Sequence, residues 1–239
     1  MIMPSPPPTL VVVVDGTPHR VRLRMPTAGD AQVLLVDASL HRSASALASA
    51  RRIELYDLLA TVNDEPATWA FAAEIADESD AVQALRTARD GWLAAEVRRG
   101  QVVEGPDPTP IDPGPSLAPP ALAQLPDPAH RLSRPDTAQP MEVVLPSGAT
   151  GTLDWLDPLV EAQAWDRWAP VGLDPLPEHE DWTFESAGFR AILRLRCALV
   201  HLGARDRDDL APDDIEALPL ADFLFLDRLY GAVFKDDHA

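Results

Sequence analysis

A proline-rich segment from Gly105 to Pro140 constrains the fold of this chain more than any other feature. It carries eleven of the 25 prolines. Proline has no backbone N–H and a fixed φ, so neither a helix nor a central strand tolerates prolines at this density. The composition favours extended, polyproline-like or disordered linker structure. We therefore predict an N-terminal unit at residues 1–100, a linker at 101–140 and a C-terminal unit at 141–239.

Each predicted unit begins with the pattern of a β-hairpin. Asp15-Gly16 and Pro146-Ser147-Gly148 are typical turn sequences. The runs that flank these turns are rich in aliphatic and β-branched residues, and they occupy positions 9–14, 20–24, 141–145 and 150–155. Because a proline and a helical pattern follow both hairpins, the two units are candidates for an internal duplication.

Most of the remaining sequence has helical periodicity. Apolar residues recur three and four positions apart, and prolines, glycines and polar caps mark the ends of the segments. The predicted helices cover residues 43–62, 66–76, 81–98, 159–168, 184–202 and 219–234. The expected fold class is mainly α with short β-hairpins (α+β), arranged as two small units joined by a long Pro-rich linker.

The C-terminal pair of helices is the most regular part of the pattern. The helix at 184–202 has a single apolar stripe, whereas the helix at 219–234 is apolar around most of its circumference, with Phe225 outside the main arc. A helix of the second kind lies either deep in a core or against a partner. Arg196 projects close to the stripe of the first helix, and we predict that a carboxylate from Asp222 or Asp227 neutralises it.

The charge of the chain excludes several classes of partner. The formal net charge of -18 at pH 7 opposes binding to nucleic-acid phosphates and to anionic membranes, and it favours basic partners. No signal-peptide pattern opens the sequence, and the apolar run from Leu10 to Val14 is too short to span a bilayer. We expect a cytoplasmic protein without membrane insertion.

Few residues suggest catalysis. Cys197, the single cysteine, and His201 are four apart on a predicted helix, a spacing that suits a nucleophile pair or half of a metal site. His179, Glu180 and Asp181 are a second group of potential ligands, in a proline-rich loop. No phosphate loop, dinucleotide fingerprint or nucleophile elbow is present. We predict a non-enzyme without cofactor or metal; a metal-dependent enzyme that uses His179, Asp181 or His201 is the weaker alternative.

Two groups of residues carry a resemblance to a known family. One is the strand and turn at 143–148, Val-Val-Leu-Pro-Ser-Gly, with its counterpart at 21–30; the other comprises the C-terminal segments 198–203, 215–222 and 226–230. Together they resemble tail-assembly and baseplate-assembly proteins of contractile-tailed bacteriophages and related contractile injection systems. In that family a hairpin with a Pro-Ser-Gly-like turn precedes helices, and a Leu-Pro-Leu-x-Asp start opens the last helix.

The resemblance implies a non-enzymatic assembly, chaperone or structural role in a bacterial cytoplasm, through contacts with other proteins of a tail or baseplate. It also implies that the last helix docks on a partner, with contact candidates Phe223, Phe225, Leu226, Leu229 and Tyr230. A small acidic adaptor or regulatory module, unrelated to tails, is the alternative interpretation.

Overall fold

The computed structural model describes residues 5–31, 44–105, 139–169 and 184–234 of the chain. The first unit contains β1 (Thr9–Val14), β2 (Thr17–Leu23), α1 (Ala44–Leu58), β3 (Leu59–Val62), β4 (Glu65–Pro66), α2 (Trp69–Ala76) and α3 (Ser79–Val97). The second contains β5 (Gln101–Glu104), β6 (Met141–Val144), β7 (Thr150–Leu153), α4 (Pro158–Trp168), α5 (Phe184–Ala198), β8 (Leu199–Leu202), β9 (Arg205–Asp206), a 3-10 turn (Arg207–Asp209), α6 (Pro212–Glu216) and α7 (Leu220–Phe234).

The strands form two antiparallel sheets. The first has the order β1-β2-β3-β4, and the second has the order β5-β6-β7-β8-β9. Both predicted hairpins are confirmed, as β1-β2 and β6-β7. Asp15 and Gly16 have φ angles of 48° and 75°, the two positive values that a tight two-residue hairpin turn requires. Each hairpin then extends by pairing with a strand from later in the chain.

The predicted fold class is wrong in its account of the strands. The structure is an α+β mixture with sheets of four and five strands, not helices with two short hairpins. Leu59–Val62 and Leu199–Leu202 are strands β3 and β8, whereas helical periodicity extended the preceding helices through both segments. The apolar residues of these strands fit either pattern. Pairing with β2 and β7 makes both segments strands. These hydrogen bonds join residues far apart in sequence, so local periodicity does not reveal them.

The Pro-rich segment does not separate two units. It connects β5 to β6, which are neighbours in one sheet, and Glu104 lies opposite Glu142. Cα atoms of paired residues on antiparallel strands lie about 5 Å apart, so the two ends of the segment meet. The segment is therefore a long connection within the second sheet, and residues 106–138 lie outside the described part of the chain.

The two units repeat one arrangement of elements. In each, the strand that pairs with the second hairpin strand carries one extra residue at the same place. These residues are Ala60 of β3, opposite the step from Arg22 to Leu23, and Val200 of β8, opposite the step from Thr152 to Leu153. The same backbone bonds recur at 2.7–2.9 Å: from Arg24 N–H to Leu58 O and from Asp154 N–H to Ala198 O, then from Asn63 N–H to Arg20 O and from Gly203 N–H to Thr150 O. These shared irregularities support the internal duplication that the hairpins suggested.

The two cores share helix α3. Its first half contributes Ala81, Val82 and Leu85 to the core of the first unit. Its second half contributes Leu93 and Val97 to the core of the second unit. Because one rigid helix belongs to both cores, the chain enters its second unit through α3 and β5, before the Pro-rich segment begins.

Candidate interaction surfaces

The residues predicted as partner contacts on α7 lie mostly inside the protein. Phe225, Leu226 and Leu229 are buried, and Phe223 and Tyr230 are half-buried. The Phe225 ring packs so closely on Gly100 that a Cβ at that position would overlap it. The apolar surface of α7 is larger than its contact with α5 requires, and α3 and the residues that follow α3 cover the remainder. Docking of this helix on a partner stays a prediction, and its half-buried side chains are those within reach of one.

Three of the sequence segments behind the family resemblance meet at the start of α7. The backbone N–H of Ser147 donates to Oδ1 of Asp222 over 2.9 Å. Thr27 forms an isolated β-bridge with Pro219, and Leu220 N–H donates to Pro26 O over 2.8 Å. The hairpin turn, its counterpart in the first unit and the Leu-Pro-Leu-x-Asp start are therefore parts of one structural junction.

Asp222 is the buried acid of this junction. Burial raises the pKa of its carboxyl group, the hydrogen bonds from Ser147 oppose that rise, and the nearby charge of Glu96 adds to it. The net pKa is above the ordinary value of an aspartate. A buried carboxylate at a helix start that accepts one backbone N–H positions the turn; we assign it no chemical role.

The predicted carboxylate partner of Arg196 is wrong. Arg196 is buried, as expected, but its Nε donates to Leu210 O at 2.9 Å and its Nη2 donates to Arg207 O at 3.0 Å. Asp227 pairs with Arg194 instead. Carbonyl oxygens satisfy a guanidinium as well as a carboxylate does in hydrogen-bond geometry, although they carry no charge. Arg196 therefore fixes the turn after β9, not the contact between α5 and α7.

The candidate Cys197–His201 pair does not form. The helix ends at Ala198, so Cys197 lies on α5 and His201 on β8. The Cys197 thiol is buried, which raises its pKa, and His201 Nε2 lies 2.7 Å from Thr152 Oγ1. His179, Glu180 and Asp181 lie outside the described residues. Among the described residues, no group of three His, Cys, Asp or Glu side chains is arranged to hold a metal ion.

The strongest candidate for a binding surface is the outer edge of β1, here called the valine edge: Thr9, Val11 and Val13. Val11 is 66% exposed and Val13 is 54% exposed. The hairpin closes at Val14 and Thr17, so even-numbered residues of β1 bond to β2, and the N–H and C=O groups of Thr9, Val11 and Val13 point away from the sheet. Within the described residues, no strand pairs with this side of β1.

Proteins normally protect such edges. Lysines, prolines, bulges or a covering segment prevent one edge from pairing with another chain. Over its six residues β1 has no lysine, proline or bulge, and no strand in the described part of the chain covers its outer side. Of the three other edge strands in the two described sheets, β4 and β9 are two residues long and too short to offer a row of donors and acceptors, and β5 is interrupted by a bulge between Val102 and Glu104. Sequence reasoning missed the valine edge, although the run of four valines at 11–14 places two of them on each face of a strand.

Comparison with protein-family models, with curated proteins and with solved structures finds no match for this chain. In the described parts of the chain, none of the helices combines the length and the apolar character that crossing a membrane requires. The sequence and the geometry above are thus the basis of the functional proposal.

Proposed function

We propose that this chain is a non-enzymatic assembly or structural protein that acts through protein–protein contacts, of the kind found among tail and baseplate assembly proteins of contractile injection machines. The valine edge carries the proposal. A row of unpaired backbone groups beside two exposed valines is a surface that proteins, and not small molecules, complement.

The junction at the start of α7 supports the narrower part of the proposal. Three of the segments that resemble tail-assembly proteins contain Pro26, Ser147 and Asp222. Pro26 and Asp222 are 196 positions apart in sequence, yet all three residues lie in the junction at the start of α7. A resemblance spread over contacting segments describes one structural motif, whereas scattered matches would describe none.

The test is crosslinking of the full-length, affinity-tagged chain in its native bacterial host, followed by mass spectrometry of the crosslinked peptides. We expect crosslinks to sheath, tube or baseplate proteins, and genes for such proteins beside the gene for this chain. Reproducible crosslinks to proteins of another process, in a host region without tail genes, would replace the proposal with the acidic adaptor. A stoichiometric metal in the purified protein would contradict the non-enzymatic assignment.

A further inference from the structure

We propose that the valine edge binds an extended segment of a partner protein, which joins the first sheet as an antiparallel strand beside β1. The inference rests on the proposed function and deepens it by naming the surface and the chemistry of the partner. In strand addition, main-chain hydrogen bonds supply affinity and alternate side chains supply specificity.

The second sheet shows how such an edge is covered. Glu142 lies opposite Thr152 as Thr9 lies opposite Arg22, so Glu142 is the counterpart of Thr9. The same comparison makes Val144 the counterpart of Val11. In the second sheet β5 pairs with these positions, with Glu104 opposite Glu142 and Gln101 opposite Val144. The first sheet contains the matching positions, and the described chain supplies no strand for them.

Leu10 is the core-facing residue that an added strand would cover. Its counterpart is Val143, which is fully buried because Val102 of β5 lies opposite it and packs on the same core. Leu10 points toward the core of the first unit but is only half-buried. An aliphatic residue on an added strand would cover Leu10 as Val102 covers Val143, and burial of that apolar area favours binding.

Charge defines a second requirement for the partner. In the second sheet Glu104 lies opposite Glu142, an unfavourable pair of like charges. On an added strand, an acidic residue opposite Thr9 would be separated from Arg22 of β2 by β1 alone. Arg22 is exposed and forms no ion pair within the described residues. The valine edge therefore fits a strand with an aliphatic residue that faces Leu10 and an acidic residue next to Thr9.

A second copy of this chain fits the edge less well. Pairing two β1 strands would place no acidic residue near Arg22, since Thr9–Val14 contains none. It would also bring together two chains that each carry a net charge of -18, which electrostatic repulsion opposes. The occupant that the edge selects is a separate protein that lacks this large negative charge and presents one acidic residue next to Thr9 and one aliphatic residue facing Leu10.

The test uses a peptide with the sequence of residues 99–105, which includes β5, and full-length protein labelled with nitrogen-15. We expect chemical-shift changes centred on β1 and β2. At nine-tenths occupancy, amide hydrogen exchange at Thr9, Val11 and Val13 should slow by about tenfold. Leu10, Val12 and Val14 are internal controls, because their amides already bond to β2. A peptide with Glu104→Lys should bind more weakly.

Two protein variants test the edge itself. Val11→Pro removes one outward N–H, at a position where an edge strand accepts proline, and should lose most of the peptide's shift changes. Val11→Thr keeps the N–H and the β-branch and should bind as the parent does. Arg22→Glu keeps the edge backbone and should weaken binding of the parent peptide, so the inference remains testable even if the proline variant misfolds.

Several results would overturn the inference. Slow exchange at Val11 in the free protein would show that the edge is already covered, by the chain or by a second copy. Shift changes that map to the exposed Tyr56–Trp69 pair, or equal binding by Val11→Pro and the parent, would place the site elsewhere. If crosslinking in the host identifies tail proteins but Val11→Pro leaves those crosslinks intact, this inference fails while the proposed function stands.

Discussion

The backbone N–H of Ser147 donates to the Asp222 carboxylate over 2.9 Å and joins a hairpin turn to a helix start 75 residues later in the sequence. Asp222 is only 1% exposed. Its pKa is raised above the ordinary 3.8, mainly by burial. The folded chain therefore binds this proton more readily than the unfolded chain, and this group's contribution to stability falls as pH rises from below 3.8 through the folded pKa.

Replacing Asp222 with asparagine should raise stability at neutral pH. Asn keeps an oxygen that accepts the Ser147 N–H, and it removes the buried charge. We expect Asp222→Asn to be about 1 kcal/mol more stable than the parent at pH 7, with the difference shrinking as pH falls toward 3.8. Denaturant unfolding across this pH range measures it.

Asp157→Asn is the matched control, because Asp157 caps an exposed helix start and Asn serves the same cap. It should change stability little at either pH. A loss of stability in Asp222→Asn at pH 7 would show that the charge itself holds the junction together.

Glu54 should show the opposite pH dependence. Burial raises its pKa, but the hydrogen bonds and charges of Arg86 and Arg89 outweigh that effect, so the net pKa is below the ordinary 4.5. A lowered pKa adds stability above 4.5 that is lost as pH falls through the folded pKa. Glu54→Gln should cost on the order of 2 kcal/mol at pH 7, because Arg86 and Arg89 each lose an ion-pair partner, and Arg89 keeps only Asp90 among the described residues.

The cost of Glu54→Gln should diminish in acid, where the parent is protonated as well. Glu74→Gln, at an exposed position on α2, should cost little at any pH. Equal costs for the two variants in urea unfolding at pH 7 would contradict a stabilising role for the Glu54 ion pairs.

Gly100 and Gly91 should respond to alanine with opposite signs. A Cβ at position 100 would overlap the Phe225 ring, whereas a Cβ at position 91 meets nothing within 4 Å. Gly100→Ala should cost about 1–3 kcal/mol through overpacking. Gly91→Ala should add about 0.5–1 kcal/mol, since Gly91 lies inside helix α3. Thermal unfolding of both variants compares them directly, and a harmless Gly100→Ala would refute the contact with Phe225.

The Pro-rich segment should be replaceable by a short turn. Its ends pair across one sheet, so a deletion of residues 106–138 closed by a few glycine and asparagine residues leaves β5 and β6 in register. A connection roughly eightfold shorter closes with about 2 kcal/mol less loss of entropy. We expect a folded variant with a higher melting temperature. Loss of the β5–β6 amide protection would contradict this topology.

Local signals predicted part of this fold correctly. Asp15-Gly16 predicts its hairpin because few residues other than these accept two consecutive positive φ angles. Pro146-Ser147-Gly148 predicts the second hairpin, which the structure confirms as β6-β7. Each of these features is decided by residues within four positions of one another.

Features decided by distant contacts were not predictable in this way. β3 and β8 continue a helical pattern, and only pairing with β2 and β7 makes them strands. The buried position of Phe225 depends on Gly100, which is far away in sequence and carries no side chain to give a signal. The valine edge becomes visible only beside the covered edge of the second sheet, because a single hairpin pattern does not show which of its strands is an outer one.

Helix α3 has a consequence for how the protein melts. Leu85 of α3 packs in one core and Val97 of α3 packs in the other. If either core unfolds and α3 is lost, the other core loses part of its packing as well. The repeat therefore does not create two independently melting modules, and calorimetry should show one transition whose van't Hoff and calorimetric enthalpies agree. A partner strand that stabilises the first sheet would then raise the melting temperature of the whole chain, the distant α7 junction included.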